Sequence, residues 1–500
     1  MSLETRAAVL AIWTVVLVVI LAIRISLGPT FDPLCTAILV LATSIRFACP
    51  CCCSAKSSPP LSVRDDYSHV PDVEPFEIEA PQEQKETSAD TCLRNEPEEL
   101  NEQLITSASV TSSNNRLLFL DNVKTFLTAL VVIHHVTCAF GACGEGSWFL
   151  IIGQDGPVAF HRFGAILTTL NQSFFMPLFF FISAYFVPSS YAKKGGEGFR
   201  KSKKQRLWIP AMGESFLIVP ACTAIANLVA RGELPFYGPY PGVAWFIFWL
   251  LIFNWVYSTL VEAGNNNDKE QQPRREFPST IQRLLWGIGV CGVLLLPFLV
   301  MLKGDFASMP ISVGSFTCDF LMFYLGIQAK THGWLETSLS SQLDIRPLSF
   351  ACMVFAEALG IAVTTFFIDQ HSWVGLMCVL LAGVFCLDMG LLVLLIFQQY
   401  MNFENRVTKF LARSAYGVYL LHPLVIVGVT ALYAVIYNMI SNDDPIIFRD
   451  KAGHDDLLVV GTGGEKYIPL GWTLVTIMSN LIVWPLAYGF TRLPYLKNIL

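Results

Sequence analysis

Asp121, Lys124 and His135 stand in the stretch DNVKTFLTALVVIHHV, whose second half is apolar enough to sit in lipid. An α-helix turns about 100° and rises about 1.5 Å per residue. Lys124 and His135 therefore return to nearly the same face, about 16 Å apart along the axis, with Asp121 about one turn below Lys124 and Thr128 between them. A charge at the bilayer centre costs at least ~2.5 kcal/mol, so this stripe must face a bundle interior or a watery cavity. The residue types suit proton transfer and charge compensation. An imidazole takes and returns a proton near neutral pH, and a cation about three turns away can hold an anion. Simpler uses exist: Asp121 and Lys124, at i,i+3, can form a structural ion pair, and His135 can be a satisfied interior histidine. His134 points about 100° away from His135, which speaks against a metal held by both, and no metal is expected.

Other apolar runs carry Glu214, Asp319, Glu357, Asp388 and His422, several of which can converge on one interior cavity. His422 precedes Pro423, a pairing that fits a helix distortion as well as a site. Two functions suit the stripe. One is group transfer through the bilayer, with the histidine activating a hydroxyl from one side and the cation holding an anionic donor from the other. The other is proton-coupled transport of a small polar or lipid-linked molecule.

The elements that position these residues follow from composition. Of the 500 residues, 53% are hydrophobic and only 14% charged, with mean hydropathy +0.52. Soluble chains carry about 25% charged residues, and a spanning helix needs roughly 20 apolar ones. Such runs recur along the chain, which predicts an all-α, polytopic membrane protein. No basic tract interleaved with aromatics suggests nucleic acid. Residues 1–53 read as an N-terminal anchor of one or two hydrophobic helices, ending in Cys49, Cys51, Cys52 and Cys53. Cysteines clustered beside an apolar segment are lipidation candidates, and paired zinc-finger spacing is absent. The remaining cysteines lie mostly in apolar runs and read as small core residues rather than disulfides. Residues 54–115, rich in Glu, Asp, Pro, Ser and Thr, read as a disordered acidic linker.

Residues 116–500 read as the membrane body, with ten helices near 117–140, 165–187, 207–230, 242–262, 281–301, 311–329, 347–368, 374–397, 414–440 and 467–491. The link KKGGEGFRKSKKQR (Lys193–Arg206) carries seven basic residues, which places it in the cytoplasm. Alternation then puts both ends of the body, including the C-terminus, on that side. The segment GTGGEK lacks the Lys-Ser/Thr ending of a phosphate loop, and the sequon Asn171-Gln172-Ser173 falls inside a membrane run.

The order of several motifs resembles the acyltransferase-3 family of integral membrane acyltransferases. Leu120-Asp121-Asn122-Val123 followed by Lys124-x10-His135 resembles its Arg-x10-His motif, with lysine in the arginine's place. FFMPLFFFISAYFVP, containing Ser183, resembles its second-helix signature. KKQRLWIP, containing Lys203 and Arg206, is similar to its Arg-x-x-Arg-Leu-x-x-Pro link. PGVAWFIFWLLIFN with Trp245, FLMFYLGIQAKTHGWL, and SAYGVYLLHPLVIV with His422 resemble later elements. The resemblance covers 116–500 and implies an enzyme that moves an acyl group, acetyl-like, from acyl-CoA to a hydroxyl of a carbohydrate, lipid or small molecule across the membrane. No cofactor is implied beyond acyl-CoA as co-substrate. The partners are that donor, the hydroxyl-bearing acceptor and membrane lipids. By the same resemblance His135 becomes the candidate base and Lys124 the charge partner, with Asp121 beside it. Arg206, Lys203, Ser183, Trp245 and His422 become candidate substrate contacts. Lysine keeps the arginine's charge but lacks its planar fork.

Overall fold

The structure is a computed structural model that describes residues 117–141, 148–152, 158–232, 234, 240–264, 275–293, 305–306, 309–310, 316–367, 372–449, 459–464 and 467–493. The proposed anchor, the cysteines at 49 and 51–53, and the acidic linker lie outside these residues. Apolar sequence makes long helices: α1 (Leu118–Ala139), α2 (Val158–Tyr185), α3 (Val187–Arg231) and α4 (Trp245–Gly264). They continue with α5 (Thr280–Trp286), α6 (Phe316–His332), α7 (Pro347–Phe367), α8 (Ser372–Tyr400), α9 (Arg406–Ile440) and α10 (Ile468–Thr491). Eight of them, α1 to α4 and α7 to α10, are long and apolar enough to cross a membrane. The described parts of α5 and α6 fall short of that length, so the ten expected spans appear here as eight.

Local chemistry sets the helix ends. Asn405 caps α9: its Oδ1 accepts from the Thr408 N–H at 2.8 Å while the Asn405 N–H donates to Thr408 Oγ1 at 2.9 Å. Ser279 and Gln282 make the same reciprocal cap on α5. Threonines and serines inside the spans, such as Thr168, Ser173 and Thr223, donate to carbonyls one turn back, which hides their hydroxyls from the apolar surroundings. Helix α3 starts earlier than expected. The lysine- and glycine-rich link is helical from Val187, bends at Gly195 (φ 66°), and passes through π-turns at Lys204–Trp208 and Glu214–Ile218.

The bundle closes where glycines allow it. A Cβ on Gly326 of α6 would run into the Phe181 carbonyl oxygen of α2 and lie 2.8 Å from Ala184 Cβ. A Cβ on Gly287 would lie 2.6 Å from the Val384 Cα of α8. Gly326→Ala is expected to force α2 and α6 apart at a cost of about 1–3 kcal/mol. Thermal unfolding in detergent checks this, and an unchanged Tm would count against so tight a crossing.

Two features add to a body that is otherwise helical, with mostly free, buried cysteines, as expected. The body is not wholly helical: β1 (Phe149–Ile152) pairs in parallel with β5 (Val459–Thr462), which pairs antiparallel with β4 (Ile447–Arg449). A short hairpin joins β2 (Asp305–Phe306) and β3 (Met309–Pro310). Gly461 and Thr462 of the GTGGEK segment belong to β5 and serve sheet pairing, with Phe149, Ile446 and Val459 packed into the same core as α1, α9 and α10. Second, Cys138 at the end of α1 is disulfide-bonded. Cys222, Cys291, Cys318, Cys378 and Cys386 are free and buried, as small core residues are.

Candidate active site

Helix α1 is held at both ends. The buried Asn122 amide donates to the Met401 carbonyl (2.6 Å) and the Phe403 carbonyl (3.0 Å), and the Phe119 N–H donates to Asn402 Oδ1 (3.2 Å). The turn between α8 and α9 thus fixes the start of α1. At the far end Trp472 of α10 donates its indole N–H to Thr137 Oγ1 at 3.0 Å. Between these clamps Asp121, Lys124 and His135 are half-buried, while Asn122, Val123, Thr128 and His134 are buried. Lys124 Nζ donates to Asp121 Oδ1 at 3.3 Å and lies 4.6 Å from the centre of the Phe186 ring. The ammonium therefore has a carboxylate and an aromatic face as neighbours. Thr128 turns back to donate to the Lys124 carbonyl at 2.8 Å, so its hydroxyl is not offered into the stripe.

The His135 ring meets the His422 ring of α9 at 4.9 Å. His134 packs edge-on to His135 at 5.4 Å and against Phe175 of α2 at 5.1 Å. His422 is fully buried, and its Nδ1 donates to the Tyr419 carbonyl at 2.6 Å. Tyr419 stands beside it, with ring centres 5.9 Å apart, and donates its hydroxyl to the Val243 carbonyl next to α4. One turn earlier, Tyr416 donates to the Arg206 carbonyl at 2.8 Å. Tyr416, Tyr419 and His422 follow at three-residue steps along α9, each turned about 60° from the one before, from the end beside Arg206 to the imidazoles. The sequence reading gave the two tyrosines no role, and that three-residue spacing was the available signal.

The other candidates are distributed along this path and away from it. Arg206 has an exposed side chain at the foot of α3, and Lys203 lies over the Phe199 ring at 5.2 Å. Ser183 is half-buried, three residues before the Phe186 that Lys124 meets. Trp245 opens α4, its ring 6.4 Å from that of Phe246. Glu214 is buried in a π-turn of α3, close enough to Tyr416 and Tyr419 to influence them, and neither of its oxygens has a hydrogen-bond partner among the described residues.

Two of the buried carboxyls have neighbours other than the imidazoles. Asp388 of α8 pairs with Arg283 of α5 at 2.7 Å, and Asp319 sits among Cys291, Cys318 and Cys386. A cavity of about 50 Å³ beside Arg283, walled by Trp286, Met322, Leu325, Leu387 and Leu391, has none of the candidate residues in its lining. Among the described residues, no three His, Cys, Asp or Glu side chains are placed to hold a metal ion.

The acyltransferase-3 family, described as an acyltransferase domain, matches residues 117–488, from the start of α1 to near the end of α10. No curated protein and no solved structure matches the chain. With a match over most of its length and eight helices fit to span a bilayer, the chain belongs to the acyltransferase-3 family of membrane acyltransferases.

Proposed function

We propose that the protein transfers an acetyl-like acyl group from acyl-CoA, bound from the cytoplasm, to a hydroxyl of a carbohydrate, lipid or small molecule presented from the opposite side. The observation that carries this reading is the half-buried His135 imidazole, turned inward onto buried His422 rather than outward to lipid. In this scheme the anionic part of CoA binds near Lys203 and Arg206, and the thioester is delivered to His135 from that side. His135 takes the proton of the acceptor hydroxyl as its oxygen attacks the thioester carbonyl. The C–S bond breaks, the new C–O bond forms, and the proton passes to the departing thiolate. Lys124, with Asp121 beside it, offsets negative charge on the donor. The sidedness rests on the seven basic residues between Lys193 and Arg206 and on the disulfide at Cys138. In this scheme the far end of α1, with the disulfide at Cys138, faces an oxidising compartment of the kind in which disulfides persist, and the C-terminus faces the cytosol.

Purified protein in detergent, given acyl-CoA and a panel of hydroxyl acceptors, is expected to release free CoA only when a suitable acceptor is present. Flux driven by a pH gradient with no thioester consumed would replace this reading with transport. Lys124→Arg is expected to match or exceed the parent rate, because guanidinium keeps the charge and adds a fork for anions. Lys124→Met should lose roughly ten-fold, the scale of one charge-assisted contact. A folded but inactive Lys124→Arg variant would mean that the site is built around an ammonium.

A further inference from the structure

Proline at 423 does something specific to the histidine before it. Within a helix, the N–H of residue 423 would donate to the carbonyl of Tyr419, four positions back. Proline has no N–H, so that carbonyl is left open inside the long helix α9. His422 fills the vacancy: its Nδ1 lies 2.6 Å from the Tyr419 oxygen. A carbonyl oxygen can only accept, so Nδ1 carries the hydrogen. The neutral ring then keeps its lone pair on Nε2. That atom is fully buried, has no hydrogen-bond partner among the described residues, and belongs to the ring that meets His135 at 4.9 Å.

We infer that Pro423 locks the tautomer of His422 so that Nε2 is offered to His135, making His422 the positioning residue of the base. The inference rests on the acyl-transfer reading. In the working step the His135 ring turns so that one nitrogen takes the acceptor's proton while its other N–H donates to His422 Nε2, a bond that is not formed among the described residues at rest. This holds the imidazolium in place until its proton passes to the thiolate. A second imidazole thus does for His135 what a carboxylate does for histidine in a Ser-His-Asp site. The titratable groups facing His422 are His135 and His134 from α1 and Tyr419 from its own helix, with Glu214 of α3 beyond Tyr419. Without the locked tautomer, Nε2 carries the hydrogen in part of the population, and two donors face one another.

The test is Pro423→Ala in the full-length protein. The substitution returns a backbone N–H to the Tyr419 carbonyl, where it competes with His422 Nδ1 for that oxygen. The expected result is a Tm equal to or above the parent, an unchanged KM for acyl-CoA, a kcat about ten-fold lower and a displaced pH–kcat profile, which reports groups acting in the bound complex. His422→Gln, which can offer an amide oxygen near the Nε2 position, is expected to keep more activity than His422→Leu. Parent-like kcat and pH profile in Pro423→Ala, or equal losses in the glutamine and leucine variants, would overturn the inference while leaving acyl transfer intact. A parent protein that consumes no thioester would remove both.

Discussion

His135→Ala is expected to lower kcat by about 10²–10⁴-fold, the usual contribution of a positioned general base, with little change in acyl-CoA binding. The asymmetry follows from placement. His135 lies about 16 Å beyond Lys124 along α1, and the proposed donor contacts Lys203 and Arg206 belong to a different helix, α3. In the proposed scheme, deleting the imidazole leaves the groups assigned to the donor untouched. The fold should survive, because α1 is fixed by Asn122 at one end and by the Trp472–Thr137 hydrogen bond at the other. Kinetics on purified variant with a saturating acceptor, alongside a donor-binding measurement, separates the two effects. A variant that binds no donor would move His135 from chemistry to binding.

The largest stability effect is expected far from the imidazoles. Asp388 and Arg283 form an ion pair at 2.7 Å with side chains only 2% and 5% exposed. Arg283 also donates to the Pro278 carbonyl (2.9 Å) and Thr280 Oγ1 (3.2 Å), and its guanidinium lies 5.2 Å from the centre of the Phe350 ring. Asp388→Ala strands that cation among apolar groups, a loss of about 3–5 kcal/mol. Replacing both partners, as Arg283→Met with Asp388→Leu, removes the desolvation cost along with the attraction and should recover most of the Tm. Thermal unfolding of the three proteins is the check. An Asp388→Ala variant as stable as its parent would show that the pair contributes nothing to holding α5 against α8.

How far the residues announced this architecture depends on the range of the interaction. The Asp121–Lys124–His135 stripe is helical arithmetic within one segment, and the three residues do share the half-buried side of α1. The meeting of His135 with His422 is tertiary and has no local signature. Pro423 was ambiguous on paper because its consequence depends on which group reaches the Tyr419 carbonyl. Asp388 stood out as a charge in an apolar run, whereas its partner Arg283 looked like an ordinary helix-edge cation. The link before Arg206 resembled a loop because lysines and glycines dominate it, yet it is helical and buries Phe199 against Tyr191 and Tyr257. Strands β1 and β5, four residues each, are too short for alternation to register. Cys138 was hidden by its apolar neighbours, since a disulfide depends on a partner rather than on local hydropathy.

The central claim is that an imidazole in the far half of the bundle joins a thioester from one face to a hydroxyl from the other. Proteoliposomes with the Lys193–Arg206 link facing outward, acyl-CoA outside and acceptor sealed inside test it most directly. The account predicts free CoA outside and ester inside in equal amounts, with neither formed by His135→Ala. Undiminished ester from His135→Ala, or ester formed only when both substrates share one face, would contradict it.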